Sequence, residues 1–288
     1  MPEASSLPAY SLGITLPRPQ TVFHISKQAV WPSIVIQSEA SGGQQFNWQW
    51  SMHWHTFSRQ GTATTQSDSW DAGPSIANLG GTLNVAVTGP YGSDAFNLQV
   101  IGDQPEVSDV MQYLGKKPNS AGFDRILNKE TRMRHFDEHG EPIRSFDNGY
   151  GIAQLTKPSP TYEEAWNWKK NIDAAIGLYQ TKQTAAIVYL SQGKRVYTDE
   201  QLQRETISRW NGGAYHVWDA AKGWLRNPNI LWDSATGNIG WNMTRPENAG
   251  HTQSELHDRD AGNYRKGRPG ANDCWGYFGV CYADSILG

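Results

Sequence analysis

Glu130 to Pro160 reads ETRMRHFDEHGEPIRSFDNGYGIAQLTKPSP. It begins with a carboxylate at the end of an apolar-patterned segment, crosses a charged loop, and enters a turn where Gly149, Gly151 and Gln154 crowd together. Upstream, Phe123, Ile126 and Leu127 mark one face of a helix, and Glu130 lies seven, four and three residues beyond them. At the helical repeat these offsets put the glutamate on the apolar stripe itself. Ser120, ending the connection KKPNS, is placed to cap that helix.

A carboxyl on an apolar face loses hydration, so its pKa rises and it keeps its proton near neutrality. A general acid that protonates the leaving oxygen in glycoside cleavage needs that property. A helix-end glutamate curling back to solvent fits the same residues. The turn behind it has glycines that let backbone N–H and C=O groups come close to a sugar ring, and Gln154 offers both a donor and an acceptor. An ordinary Gly-rich loop has the same composition. Asp137, Glu138 and Glu141 read as solvated loop charges.

Toward the N-terminus the pattern changes from helical to strand-like. FNWQWSMHW alternates Phe46, Trp48, Trp50, Met52 and Trp54 with polar residues, the period of a half-buried strand. TLNVAVT and AFNLQVIG repeat it around the turn cluster GPYGSD. Residues 1–105 are therefore expected to form an antiparallel β-sandwich of immunoglobulin type, and residues 106–288 a mainly helical domain. Helices are expected in PEVSDVMQYLG, in TYEEAWNWKKNIDAAIGLYQTKQTAAIVYL and in TDEQLQRETISRWN. His53 and His55 share a strand face, either as metal ligands or as exposed side chains, with no further ligand in register. Thirteen tryptophans suggest either sugar stacking or core, and their alternation favours core.

The net charge of −3 gives no basic stripe for a nucleic-acid backbone. No apolar run approaches the roughly 20 residues that span a bilayer. The start, MPEASSLPAYSLGITLPRPQ, lacks the basic and apolar blocks of a secretory signal. Cys274 and Cys281, in CWGYFGVC, are spaced to close a short disulfide or to sit as two small buried thiols.

The quoted stretch resembles the segment after the catalytic glutamate in goose-type lysozymes and soluble lytic transglycosylases. Those families place a Glu at a helix end, then a Gly-x-Gly-apolar-x-Gln turn, a helix, and an Asn-Gly pair after an aromatic residue. Here these are Glu130, Gly149 to Gln154, WNWKKNI, and RWNGG with Asn211. CYADSIL looks like the family's last helix, which carries a tyrosine facing the acid, here Tyr282. The resemblance covers roughly residues 106–288. It departs at Thr131, where Ser is usual, and at Ala153, where Met is usual. The segment DRDAGNYRKGRPGAND has no counterpart.

The resemblance implies cleavage of the MurNAc–GlcNAc β-1,4 bond of peptidoglycan, with Glu130 as acid and then base and no cofactor or metal. Tyr150, Gly151, Gln154, Asn211 and Tyr282 would contact the glycan. Asp147 lies about two residues out of register with the aspartate that positions water in goose-type lysozymes. It either activates water, or leaves the attack to the substrate's own acetamido oxygen and a 1,6-anhydro product. The order of β domain, IGDQPEVSDVMQYL and muramidase motifs also resembles wall-degrading effectors delivered by contractile secretion machines. That implies a route without a signal peptide, action on the wall or periplasm of a target bacterium, a spike partner and an immunity protein in the producer. The alternative is a glycan-binding or spike-associated protein that keeps the fold without catalysis.

Overall fold

The computed structural model describes residues 12–39, 44–90, 92–264 and 274–288. Residues 1–11, which hold most of the N-terminal stretch read for a secretory signal, fall outside them, as do Tyr91 of GPYGSD and most of DRDAGNYRKGRPGAND. The protein is mixed α/β, with eight α-helices and thirteen strands in four sheets among the described residues. No described helix is long and apolar enough to cross a membrane. The chain forms two compact units. The first comprises Met1–Tyr113, Arg134–Arg144 and Tyr150–Ile172; the second comprises Leu114–Met133, Ser145–Gly149 and Asp173–Gly288. The packing therefore does not divide at a single point near residue 105.

The first unit is built on two sheets. Strands β1 (Ile14–Leu16), β3 (Val35–Ser38) and β6 (Ser69–Asp71) form one, in the order β1-β3-β6. Strands β2 (Val22–Ile25), β4 (Phe46–Trp54), β5 (Phe57–Thr65), β7 (Gly81–Gly89) and β8 (Gly92–Gly102) form the other, in the order β2-β8-β7-β4-β5. The short helix α1 (Gly73–Ile76) links β6 to β7. Alternation along β4 dictates its register: Trp48, Trp50 and Met52 face inward opposite Val87, Val85 and Leu83. Trp48 stacks on Trp70 with ring centroids 5.9 Å apart, so the two sheets share one core. One expectation needs correction. β2 runs parallel to β8, so the larger sheet is mixed and not wholly antiparallel. A second concerns the histidines. His55 sits in the tight turn between β4 and β5 at φ +52°, off the strand that carries His53, so the two do not share a strand face.

The segment after α2 (Val107–Leu114) and α3 (Phe123–Thr131) returns to the first unit. Phe136, Tyr150 and Trp166, the last on α4 (Tyr162–Trp166), join the sheet core. Trp166 and Phe136 lie on glycines. A Cβ at Gly80 would come within 2.1 Å of the Trp166 ring, and one at Gly102 within 2.1 Å of the Phe136 ring. Glu141, read as a solvated charge, accepts a bond from the Trp54 indole at 3.1 Å. Asp137 closes its own loop by accepting from the His139 and Glu141 N–H groups.

The long helix expected over 161–190 is broken at Asn167 in the first unit, where ψ reaches +107°, into α4 and α5 (Trp168–Leu190), and from Asp173 onward the chain belongs to the second unit. A capping box between Thr198 and Gln201 starts α6 (Asp199–Trp210). Short strands that the sequence did not announce follow: β9 (His216–Asp219) with β10 (Gly223–Arg226), and β11 (Ile230–Trp232), β12 (Ile239–Asn242) and β13 (Gly276–Tyr277). Between them lies α7 (Gln253–Asp260), and α8 (Gly279–Leu287) ends the chain. Gly279 lets α8 meet α6, since a Cβ there would stand 2.3 Å from the Ser208 carbonyl oxygen.

Gly102→Ala tests whether 134–144 rests on the sheet. The added methyl meets the Phe136 ring, which is 1% exposed and has nowhere to go. The expected cost is about 1–3 kcal/mol, read as a lower denaturant midpoint. An unchanged midpoint would detach the segment from the sheet.

Candidate active site

Helix α3 starts at Gly122, whose φ of +79° is left-handed and whose missing Cβ would stand 2.8 Å from Gln203 Nε2. Ser120 is not the cap expected from the sequence. Its hydroxyl donates to the Leu114 and Lys117 carbonyls, at 3.0 and 2.9 Å. Phe123, Ile126 and Leu127 are fully buried, and the Phe123 ring packs edge-on against Trp210 with centroids 5.5 Å apart. Glu130 follows on the same stripe and is half-buried, as the helical offsets require. Arg132, left-handed at φ +57°, closes the helix by donating its N–H to the Asn128 carbonyl.

Two side chains from two further helices reach the Glu130 carboxyl. Tyr282, on α8, donates its hydroxyl to Oε1 at 2.5 Å, and Trp210, at the end of α6, donates its indole N–H to the same oxygen at 3.3 Å. Burial raises the Glu130 pKa above its ordinary value. The Tyr282 and Trp210 bonds oppose that shift, the negative charge of Asp147 adds to it, and Lys129 opposes it. Burial, reinforced by the Glu130 charge, holds the Tyr282 hydroxyl protonated and able to donate. A carboxyl of this kind can release a proton, and two donors then steady the anion it leaves.

Helix α8 is itself anchored. Two residues beyond Tyr282, Asp284 accepts from Arg226 Nε and Nη2 at 2.9 and 2.7 Å and from the Tyr215 hydroxyl at 2.6 Å. In α6, the fully buried Glu205 accepts from the N–H groups of Tyr215 and His216, both at 3.0 Å. Arg209 Nε lies 2.8 Å from the other Glu205 oxygen without the alignment of a hydrogen bond. Trp210 is the aromatic residue before the Asn-Gly pair of RWNGG, while the other groups of this framework carry no motif.

The remaining residues singled out by sequence fare differently. Asp147, in the second unit, is exposed and accepts from Ser145 Oγ at 2.5 Å, while Gly149 donates its N–H to that same Oγ at 2.8 Å. Asn211 ends α6, and its side-chain oxygen accepts from Asn238 at 3.4 Å. Tyr150, Gly151 and Gln154 belong to the first unit. Tyr150 is 3% exposed, its ring edge-on to Phe57 at 5.2 Å, so it is core and presents no ring to a ligand. The turn glycines do not leave their backbone groups free. Gly149 and Ser145 bond to one another, and Gly151 donates to the Ile143 carbonyl. The Gly151 carbonyl accepts from the Gln154 side chain at 2.7 Å.

Gly151 has another role. At φ +72°, a Cβ there would press on His135 Cε1 at 2.6 Å and Asn171 Nδ2 at 2.7 Å. Those two side chains accept the N–H groups of Ile152 and Ala153. Burial keeps His135 neutral, its pKa down to about 3. Cys274 and Cys281 are free thiols and not a disulfide. Cys281 Sγ packs where a Cβ on Gly240 would stand, 2.6 Å away, and burial pushes its pKa up to about 12. Among the described residues, no group of three or more His, Cys, Asp or Glu is arranged to hold a metal.

Tyr282→Phe removes a bond that favours the ionised form of Glu130. The Glu130 carboxyl should then titrate at higher pH than in the parent chain, read by carbon NMR of the labelled side chain. An equal or lower midpoint would show that the hydroxyl does not act on Glu130. Compared with known proteins, the chain matches no family model, no curated protein and no solved structure.

Proposed function

We propose that the protein cleaves the MurNAc–GlcNAc β-1,4 bond of peptidoglycan, with Glu130 as the acid that protonates the leaving oxygen. The single observation behind this reading is a half-buried carboxyl of raised pKa, seated on an apolar helix face and bonded by Tyr282 and Trp210. A lysozyme-like second unit accords with three helices converging on one acid. An immunoglobulin-like first unit accords with the strand orders β1-β3-β6 and β2-β8-β7-β4-β5. By analogy of segment order, the protein is an antibacterial effector that acts on the wall of a target cell, beside a spike partner and an immunity protein.

The setting of Asp147 favours the route through the substrate's acetamido group. The aspartate is engaged in a local turn with Ser145 and Gly149, a structural role for this residue type. The acetamido oxygen attacks the anomeric carbon as Glu130 protonates the departing oxygen. Glu130, now the base, takes the proton of the muramyl 6-hydroxyl, whose oxygen attacks the anomeric carbon, displaces the acetamido oxygen and closes the 1,6-anhydro ring. The internal bonding of the Gly149 and Gly151 backbone takes from the turn the contacts that a bound substrate would need there, so the second reading is a protein that binds glycan elsewhere without catalysis. Parent protein that binds sacculi and clears none would decide for it.

Glu130→Gln keeps the shape and removes the proton. Clearance of purified sacculi should fall by at least about two to three orders of magnitude, followed by turbidity, with the folded state checked by circular dichroism. Near-parental clearance would take Glu130 out of the reaction. Asp147→Asn should cost less than roughly thirtyfold and leave anhydro-muropeptides as the products by mass spectrometry. Reducing-end products from the parent chain, with a folded but dead Asp147→Asn, would instead assign the aspartate to water activation.

A further inference from the structure

Four adjacent strands of the first unit, β5, β4, β7 and β8, turn one face away from the core. Their only charged side chains are Arg59 and Asp94, and both belong to the opposite set of alternating positions. Arg59 pairs with Glu163 at 2.5 Å, and Asp94 accepts the Ile14 N–H at 2.8 Å. The outward set consists of Asn, Gln, Ser, Thr, Ala and His53, with Ile101 at the far end of β8, in a chain that is 18% charged. Solvated surfaces normally intersperse charges of both signs. Their absence across four paired strands is a local property of this face.

The face also has relief. Ala86 and Ala95 stand opposite each other in the ladder, and their short side chains floor a trough of about 650 Å³. Gln49, Gln60, Asn84 and Asn97 line it. The side-chain amides of Gln49, Gln60 and Asn97 make no hydrogen bond to another described residue. Each amide offers two donors and a carbonyl acceptor, and the volume is that of a small-ligand cleft. A methyl floor with neutral amide walls complements a pyranose, whose C–H face is apolar and whose rim carries uncharged hydroxyls. An anionic ligand would find no cation here. A protein partner would find no apolar centre of the kind that anchors interfaces.

We propose that this trough binds a neutral glycan strand. The site is independent of Glu130, and the two readings stand or fall separately. The test is affinity electrophoresis of the full chain through native gels containing glycol chitin, a neutral polymer, or polygalacturonate, an acidic one. Glycol chitin should retard the parent chain and Glu130→Gln alike, and polygalacturonate should retard neither. Ala86→Glu, which fills the trough and charges it, should weaken retardation at least tenfold. Gln49→Ala combined with Asn97→Ala, which adds no bulk to the fold, should do the same. No retardation by glycol chitin would overturn the proposal, as would equal retardation by the acidic polymer. Retardation lost in Glu130→Gln but kept in Ala86→Glu would move the binding to the candidate active site. A sedimenting dimer that Ala86→Glu dissociates would assign the face to a second copy of the chain and overturn it too. Sacculus clearance run in parallel reports on Glu130 alone.

Discussion

Burial of one carboxyl governs the second unit. Glu130 sits where the helical repeat of α3 would place another aliphatic side chain, so its ionised form is poorly hydrated. Such a group is tolerated only where donors reach it, and α6 and α8 supply them through Trp210 and Tyr282. Each supporting helix needs its own anchor, since a side chain pointed at a single oxygen has little room to drift. Asp284, with one oxygen accepting two bonds from Arg226, and the buried Glu205 provide those anchors. The glycine at 279 removes the obstacle to close helix approach. A polar framework thus surrounds a site whose central group is held by desolvation.

Parts of this arrangement were legible in the sequence because they follow from a short period. Residues three, four and seven apart share a helix face, so Glu130 could be placed on its stripe. Residues two apart share a strand face, so the inward run from Trp48 to Trp54 could be assigned to a core. Tyr282 was found through a resemblance, and geometry brings its hydroxyl to Glu130. Other features depend on distance along the chain and leave no local trace. Phe136, Tyr150 and Trp166 are plainly apolar, yet nothing in their spacing says that they pack with the sheet. The strands from β9 to β13 have two to four residues each, too few for alternation to register.

The glycines of the quoted turn show a different limit. A Gly-rich segment signals that something comes close to the backbone, without saying what. A sugar was the natural candidate after an acid, but the neighbours are the buried imidazole of His135 and the amide of Asn171. The same ambiguity applies to Gly80 and Gly102, which lie in strand-like surroundings and receive indole and phenyl rings.

The interleaving of the two units has a consequence for synthesis. The chain leaves the first unit after Tyr113, returns for 134–144, leaves again, and completes that unit only at Ile172. All the strands of the first unit will have emerged from the ribosome by Gly102, but the rings that cover Gly80 and Gly102 arrive later. At translation rates of about 5–20 residues per second, the wait is on the order of ten seconds. During it, the nascent sheet exposes apolar surface that the finished protein hides, and that interval is when a chaperone has most to hold.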